Sequence, residues 1–167
     1  MHVHSFPPVA NAESRVLILG SMPGKASLRA GEYYAHPRNL FWELLARCLG
    51  VSNRKSYPER LAILQTRGVA LWDVLKSCTR TSSLDSDIVA SSVVVNPFGE
   101  FFEAHPKIKI VYLNGAKAEA LFQKYVLPSL PSSEGYSYKR LPSTSPAHTS
   151  IPFATKVREW SSAVSNV

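Results

Sequence analysis

A single three-layer α/β/α domain with a central four-stranded parallel sheet, spanning residues 1–167, is the architecture that this sequence predicts. Three observations predict it. Four short apolar runs, at residues 15–19, 68–72, 109–113 and 138–141, have the length and composition of buried strands. The segments between them carry helical periodicity. The chain of 167 residues is one domain long, and at that size it can bury about 70% of its unfolded surface without a metal or disulfide staple.

The elements follow in order. The run at 15–19 ends in GSMPG, residues 20–24. Its glycines and Pro23 force a turn, and glycine lets a ligand approach the backbone closely. The carboxyl ends of parallel strands are where α/β proteins place their sites. Ten residues on, YYAHPRNLFW at 33–42 crowds aromatics, a His-Pro and an Asn ahead of a helix. In that helix Leu40, Leu44, Leu45 and Leu49 share one face behind Pro37. Ser56 precedes a second helix, 57–66, with Pro58 in its first turn. Asp73 ends the second strand. Asn96 is expected to cap a helix at 97–104, with Pro97 at its first position. Asn114-Gly115 turns the third strand into a helix at 116–125. The Pro- and Ser-rich stretch 128–135 reads as an exposed loop. Residues 151–164 close the chain as a helix, with Phe153, Val157, Trp160 and Val164 at helical spacing.

Composition narrows the function classes. Lys and Arg number 19 against 12 Asp and Glu, a net charge of +7, with a pI near 9.6; this favours a polyanionic partner. The two cysteines, Cys48 and Cys78, fall short of the roughly four ligands of a structural Zn or Fe–S site and read as reduced, buried residues. No metal and no cofactor is expected. No apolar run is long enough to span a membrane and residues 1–12 lack signal-peptide architecture, so a cytoplasmic protein is expected. GSMPG is neither a Walker loop nor G-x-G-x-x-G, which argues against a small nucleotide-binding α/β protein.

The pattern G-x-x-P-G-x-x-S, followed by aromatic-A-H-P-x-N-x-F-W, resembles motif 1 of the uracil-DNA glycosylase superfamily. It is closest to the mismatch-specific and hypoxanthine-DNA glycosylase branches. LWDVLKSC at 71–78 and LPSTSPAH at 141–148 are also similar to superfamily segments, the latter to motif 2. The resemblance covers residues 15–160. It implies an enzyme that flips a deaminated nucleotide out of DNA and hydrolyses its N-glycosidic bond, acting as a monomer on double- or single-stranded DNA. Hypoxanthine is expected as first substrate and uracil as second. An enzyme aimed at uracil or mismatched pyrimidines, and a DNA-binding module without chemistry, are the rivals.

The resemblance also carries roles to single residues. Tyr34 holds the place of the aromatic that stacks on the flipped base, where the ring face matters more than the hydroxyl. The acid or amide that several branches carry at the third position of G-x-x-P is replaced by Met22, beside Ser21; both are expected near the base. Asn39 matches a functional Asn of the hypoxanthine branch. Its amide can fix a water or donate to the departing base, and helix capping is its alternative role. Asp73 aligns with a base-reading Asn. Its carboxylate would accept from N1–H of hypoxanthine or N3–H of uracil, or favour the oxocarbenium-like sugar; otherwise it caps a turn or pairs with an Arg. Asn114 is read as a turn residue. Gly24, Lys25, Ser27 and Arg38, with Pro142, Ser143, Ser145 and His148 of motif 2, are expected to contact DNA, chiefly its phosphates. Leu141 stands where some branches carry a His that stabilises the leaving base. No lysine lies within either motif, and Lys25 follows the turn, so a monofunctional enzyme is expected.

Overall fold

A computed structural model describes residues 1–50, 52, 54–131, 135–165 and 167. The elements run β1 (His2–His4), β2 (Val16–Gly20), α1 (Lys25–Ala30), α2 (Phe41–Leu49), α3 (Tyr57–Thr66), β3 (Val69–Asp73) and β4 (Leu75–Thr79). They continue with β5 (Val94–Val95), α4 (Phe98–Ala104), β6 (Ile110–Asn114), α5 (Ala116–Leu121), β7 (Ser137–Leu141) and α6 (Phe153–Val164).

The central sheet has four parallel strands, as the sequence predicts, and their order is β3-β2-β6-β7. The inner strands and β3 lack in–out alternation because both faces are covered: Leu17, Ile18 and Leu19 of β2 are all fully buried, while the edge strand β7 is exposed along most of its length. Leu17 and Leu19 pack with Phe98, Phe101 and Phe102 of α4 and with Phe122 just after α5. Val16 and Ile18 pack with Phe41, Leu44 and Leu45 of α2 and with Trp160 of α6. These two clusters are the outer layers of the sandwich. Register sets the site: Gly20 lies opposite Asp73, and Asn114 opposite Leu141. One edge of the sheet therefore collects the carboxyl ends of all four strands.

Local chemistry explains the helix ends. Ser56 and Glu59 form a capping box at α3, with the Ser56 hydroxyl accepting from Glu59 N–H at 3.4 Å and the Glu59 carboxylate accepting from Ser56 N–H at 3.0 Å. Asn96 does not cap α4. That helix starts at Phe98 behind Pro97, and the buried Asn96 amide donates to the Asp73 carbonyl at 2.7 Å. A strand-end carbonyl inside the protein needs a donor, and Asn96 supplies it. α5 ends at Leu121 and continues as a π-helical turn, Phe122–Val126. Of the expected loop at 128–135, residues 132–134 lie outside the described residues.

Two features were not predicted. One is α1; the other is a small antiparallel sheet of order β1-β4-β5. It carries the chain from Asp73 away from the central sheet and returns it through the one-turn 3-10 helix Asp85–Asp87 beside the sheet edge. Among the described residues no helix is long and apolar enough to cross a membrane.

Candidate active site

A cavity of about 480 Å³ opens at the carboxyl edge of the sheet. Its walls come from the turn after β2, the segment 33–39, residues 83–86, the turn after β6 and residues 143–148.

The floor is built around Gly20. A Cβ on Gly20 would stand 2.5 Å from Asp73 Oδ1 and 3.1 Å from the Tyr34 hydroxyl, so only glycine fits here. Asp73 is 3% exposed, and its Oδ2 has no hydrogen-bond partner. Burial, helped by the charge of Asp85 and opposed by Arg80, pushes its pKa up to about 7. Tyr34 has φ 57°, the one positive value at a non-glycine position among the described residues. Such strain persists where the surroundings over-determine the conformation, often at functional sites. Its ring stacks on Phe41 with centroids 3.8 Å apart and planes at 21°. Its hydroxyl is buried with no well-formed hydrogen bond; burial and the nearby Asp73 carboxylate push its pKa up, and the Asn114 amide beside it acts in the opposite sense. One ring face is thus occupied by Phe41, and the hydroxyl is the polar group that Tyr34 brings to the cavity.

Asn39 lines the cavity and also performs its alternative role: its amide oxygen accepts from Phe41 N–H, at the start of α2, at 3.0 Å. With the oxygen engaged there, the amide plane is fixed and its NH₂ remains as donor. Tyr33 points elsewhere, donating its hydroxyl to the Pro7 carbonyl at 3.0 Å. Phe41 and Trp42 are core residues, and the Trp42 indole N–H holds the Tyr33 carbonyl at 2.9 Å. His36 Nδ1 accepts from Arg38 N–H at 3.1 Å, which orders the loop and leaves the Arg38 side chain exposed.

In the turn after β2, Met22 is 7% exposed, lines the cavity and joins the core, while the Ser21 hydroxyl donates to Asp85 Oδ1 at 2.6 Å. Gly24 precedes α1. Lys25 donates its backbone N–H to the Ser83 hydroxyl at 2.9 Å and keeps its side chain exposed. Ser27 is 6% exposed, and its hydroxyl accepts from Ala35 N–H at 3.1 Å. Ser27 therefore ties α1 to the 33–39 segment while it lines the cavity, and its own hydroxyl proton remains for donation. Arg80, 2% exposed, donates Nη2 to the Pro23 carbonyl and leaves Nη1 without a partner.

The loop at 142–148 is braced throughout. Pro142 is buried, with its carbonyl on the Trp160 indole N–H at 2.9 Å. Thr144 exchanges two bonds with the Asn114 amide, each 3.0 Å. Lys156 Nζ donates to the Ser143 carbonyl at 2.8 Å and to that of His148 at 2.7 Å. The hydroxyls of Ser143 and Ser145 each accept from a backbone N–H at 3.2 Å, and their own protons remain for donation. His148 lines the cavity with a buried, unpartnered Nδ1. Leu141 is a fully buried core residue.

The expected site residues other than Arg38 and Pro142 thus line one cavity. Sequence reasoning missed Asp85, Arg80 and Lys156, and it gave Asn114 too small a part. Asp85 sits in a Ser-rich stretch with the look of a solvated turn, while the charges of Arg80 and Lys156 mask their burial. Among the described residues no group of three or more His, Cys, Asp or Glu could hold a metal ion, and both cysteines are free thiols.

Comparison with known proteins agrees with this geometry. Residues 7–161 match the model of the uracil DNA glycosylase superfamily. A protein named hypoxanthine DNA glycosylase from Methanosarcina barkeri is 37% identical over 119 residues, covering 71% of this chain and 74% of that protein. One of the same name from Methanosarcina acetivorans is 35% identical over 144 residues, 86% of each chain. The solution NMR structure of a candidate uracil DNA glycosylase from M. acetivorans superposes with a TM-score of 0.80 at 32% identity, covering 99% of this chain and 98% of that one.

Proposed function

The chain belongs to the uracil DNA glycosylase superfamily, and from that premise we propose that it is a monofunctional DNA glycosylase taking hypoxanthine first and uracil second. It is a hydrolase of N-glycosidic bonds in DNA. The relatives' names support hypoxanthine as a substrate. One observation carries the reading: two buried polar groups, the Tyr34 hydroxyl and Asp73 Oδ2, stand without partners on the floor of a cavity at the sheet's carboxyl edge.

Deamination changes the edge of a base. Hypoxanthine offers an N1–H donor next to an O6 acceptor, and uracil offers N3–H next to O4. Ionised Asp73 would accept the N–H and Tyr34 O–H would donate to the carbonyl oxygen. Adenine presents the opposite pattern at these positions, an acceptor toward a carboxylate and a donor toward a hydroxyl. A site with buried hydrogen-bonding groups rejects such a partner strongly, because those groups are left unpaired.

A base inside duplex DNA must be flipped out before these groups can reach it. The Ser143 and Ser145 hydroxyls, His148, the turn at Gly24 and the side chains of Lys25 and Arg38 would hold the phosphates, so affinity falls as salt rises. Asn39 would donate its NH₂ as charge develops on the departing base or orient the incoming water. Met22 shapes the cavity wall, Ser27 ties α1 to it, and Pro142 supports the motif 2 loop through its carbonyl on Trp160. The protein is proposed to act as a monomer, in the cytoplasm.

Single-turnover base release from oligonucleotides carrying inosine, uracil, xanthine or a thymine mismatch tests the reading. Fastest release from inosine supports it. Binding to lesion DNA with no base released would replace it with a damage-binding module.

A further inference from the structure

The turn after β2 poses a chemical problem. Met22 stands where related enzymes carry an acid or amide, and a thioether can neither take a proton nor orient water. Ser21, beside it, is a poor base. The cavity supplies a carboxylate from a different segment. Asp85 lines the cavity and accepts the Ser21 hydroxyl on Oδ1 at 2.6 Å; Oδ2 takes no hydrogen bond among the described residues.

Asp85 is held firmly for a residue in a connecting segment. Ile88 N–H donates to the Asp85 carbonyl at 3.2 Å and Asp87 N–H to the Leu84 carbonyl at 3.1 Å. Leu84 N–H donates to the Ser82 hydroxyl at 2.9 Å, Ser82 donates to Asp87, and Ser83 accepts from Lys25 N–H. The segment is thereby pinned to the turn that lacks its acid. Arg80, buried with Nη1 unpartnered, favours the charged form of Asp85, and the cavity that Asp85 lines also holds the orphaned Asp73 Oδ2.

We propose that Asp85 is the general base of the reaction, a carboxylate delivered by the β4–β5 connection in place of the acid missing from the turn after β2. The inference rests on the glycosylase reading and adds the group that activates water. As the C1′–N9 bond of deoxyinosine breaks, its electron pair leaves with the base. The water oxygen forms the new bond to C1′, and its proton passes to Asp85 Oδ2. Asp85 returns that proton to solvent, and the released hypoxanthine anion takes one from solvent. Ser21 fixes Oδ1 so that Oδ2 is aimed at the water. Burial raises the carboxyl's pKa above the ordinary range and so makes it a better base, while the Ser21 hydrogen bond, Arg80 and Lys117 act in the opposite sense and favour the ionised form.

The test uses the full chain on an inosine duplex under single-turnover conditions. Asp85→Asn keeps an acceptor for Ser21 but cannot take a proton. Its release rate is expected to fall by about 100-fold or more, with lesion-DNA affinity and thermal unfolding near the parent's. Formate added to Asp85→Ala is expected to restore part of the rate, a response that a purely structural carboxylate would not give. Near-parental release by Asp85→Asn, or no response of Asp85→Ala to formate, overturns the assignment. If the parent itself releases no base from any lesion, the glycosylase reading fails and this inference falls with it.

Discussion

The floor of the cavity and its 142–148 wall are built by opposite rules. On the floor, the Tyr34 hydroxyl and Asp73 Oδ2 are buried without partners, and Arg80 Nη1 nearby is a third such atom. In the wall, Lys156, Asn114 and Trp160 bond the carbonyls and side chains that hold the loop, and His148 Nδ1 is its one unpartnered buried atom among the described residues. An unpaired buried polar group costs on the order of 1–3 kcal/mol. A protein retains several in one place only if something else compensates, and under the proposed function a flipped base would supply the missing partners. The wall is scaffold, stable before any ligand arrives. Substitutions on the floor should therefore cost activity and spare stability, whereas substitutions of the residues that brace the wall from behind, Lys156, Asn114 and Trp160, should do the reverse.

The sharpest break is expected at Asn39. Asn39→Ala should lose roughly 100- to 1,000-fold in single-turnover hypoxanthine release, the usual scale for a positioned donor. The lost bond to Phe41 N–H should cost only about 1 kcal/mol of stability. A rate close to the parent's would confine Asn39 to its helix-start role.

Tyr34→Phe comes next. A ring valued only for its face would tolerate the change. With one face on Phe41 and the hydroxyl orphaned, release should instead fall by about tenfold to 100-fold, as for loss of one buried hydrogen bond in the transition state. Removing the unpaired hydroxyl should leave the melting temperature unchanged or higher.

Asp73→Asn sharpens the comparison twice. The ratio of hypoxanthine to uracil release should shift by more than about tenfold in uracil's favour; equal losses on both would mean that Asp73 does not read the base. Stability should respond to pH as well. The folded-state pKa near 7 lies above the ordinary aspartate value of about 3.9. The parent therefore loses stability as pH rises through that interval, by up to about 1.4 kcal/mol per pH unit, and the Asn variant lacks that loss. Melting curves should place the variant further above the parent at pH 8 than at pH 5.

The smallest effect on chemistry is expected from the wall. Lys156→Met leaves two carbonyls without their donor, for about 1–3 kcal/mol of lost stability in chemical denaturation. The chemical step should change little, with weaker duplex binding as the loop loosens. A variant that folds normally but no longer releases base would place Lys156 with the floor.

Much of this contrast is legible in the sequence, and the exceptions have physical causes. Parallel strands buried on both faces appear as continuous apolar runs, which placed β2, β3 and β6, whereas the edge strand β7, with Lys139 and Arg140 exposed, carries that signal only at its ends. The spacing Ser56-x-x-Glu59 marks a helix start, and the aromatic run at 33–42 marks the site. The β1-β4-β5 sheet was hidden because its strands are 3, 5 and 2 residues long and His2–His4 pairs with residues 77–79, a non-local contact with no periodic signature. Asp85 was hidden for the same reason, since its place beside Ser21 depends on where that sheet turns the chain. Asn114 reads as a turn residue from its neighbour Gly115, and only the register of β6 with β7 brings it to Thr144.

The central claim is that the floor recognises the N–H and C=O edge of a deaminated base. Its most direct test compares two duplexes identical except for one nucleotide, 2′-deoxyinosine or 2′-deoxynebularine, whose unsubstituted purine lacks both N1–H and O6. Single-turnover release of hypoxanthine should exceed release of purine by at least about 100-fold, as expected when two buried polar groups lose their partners. Release of purine at a rate comparable to hypoxanthine would show that Tyr34 and Asp73 do not select the base.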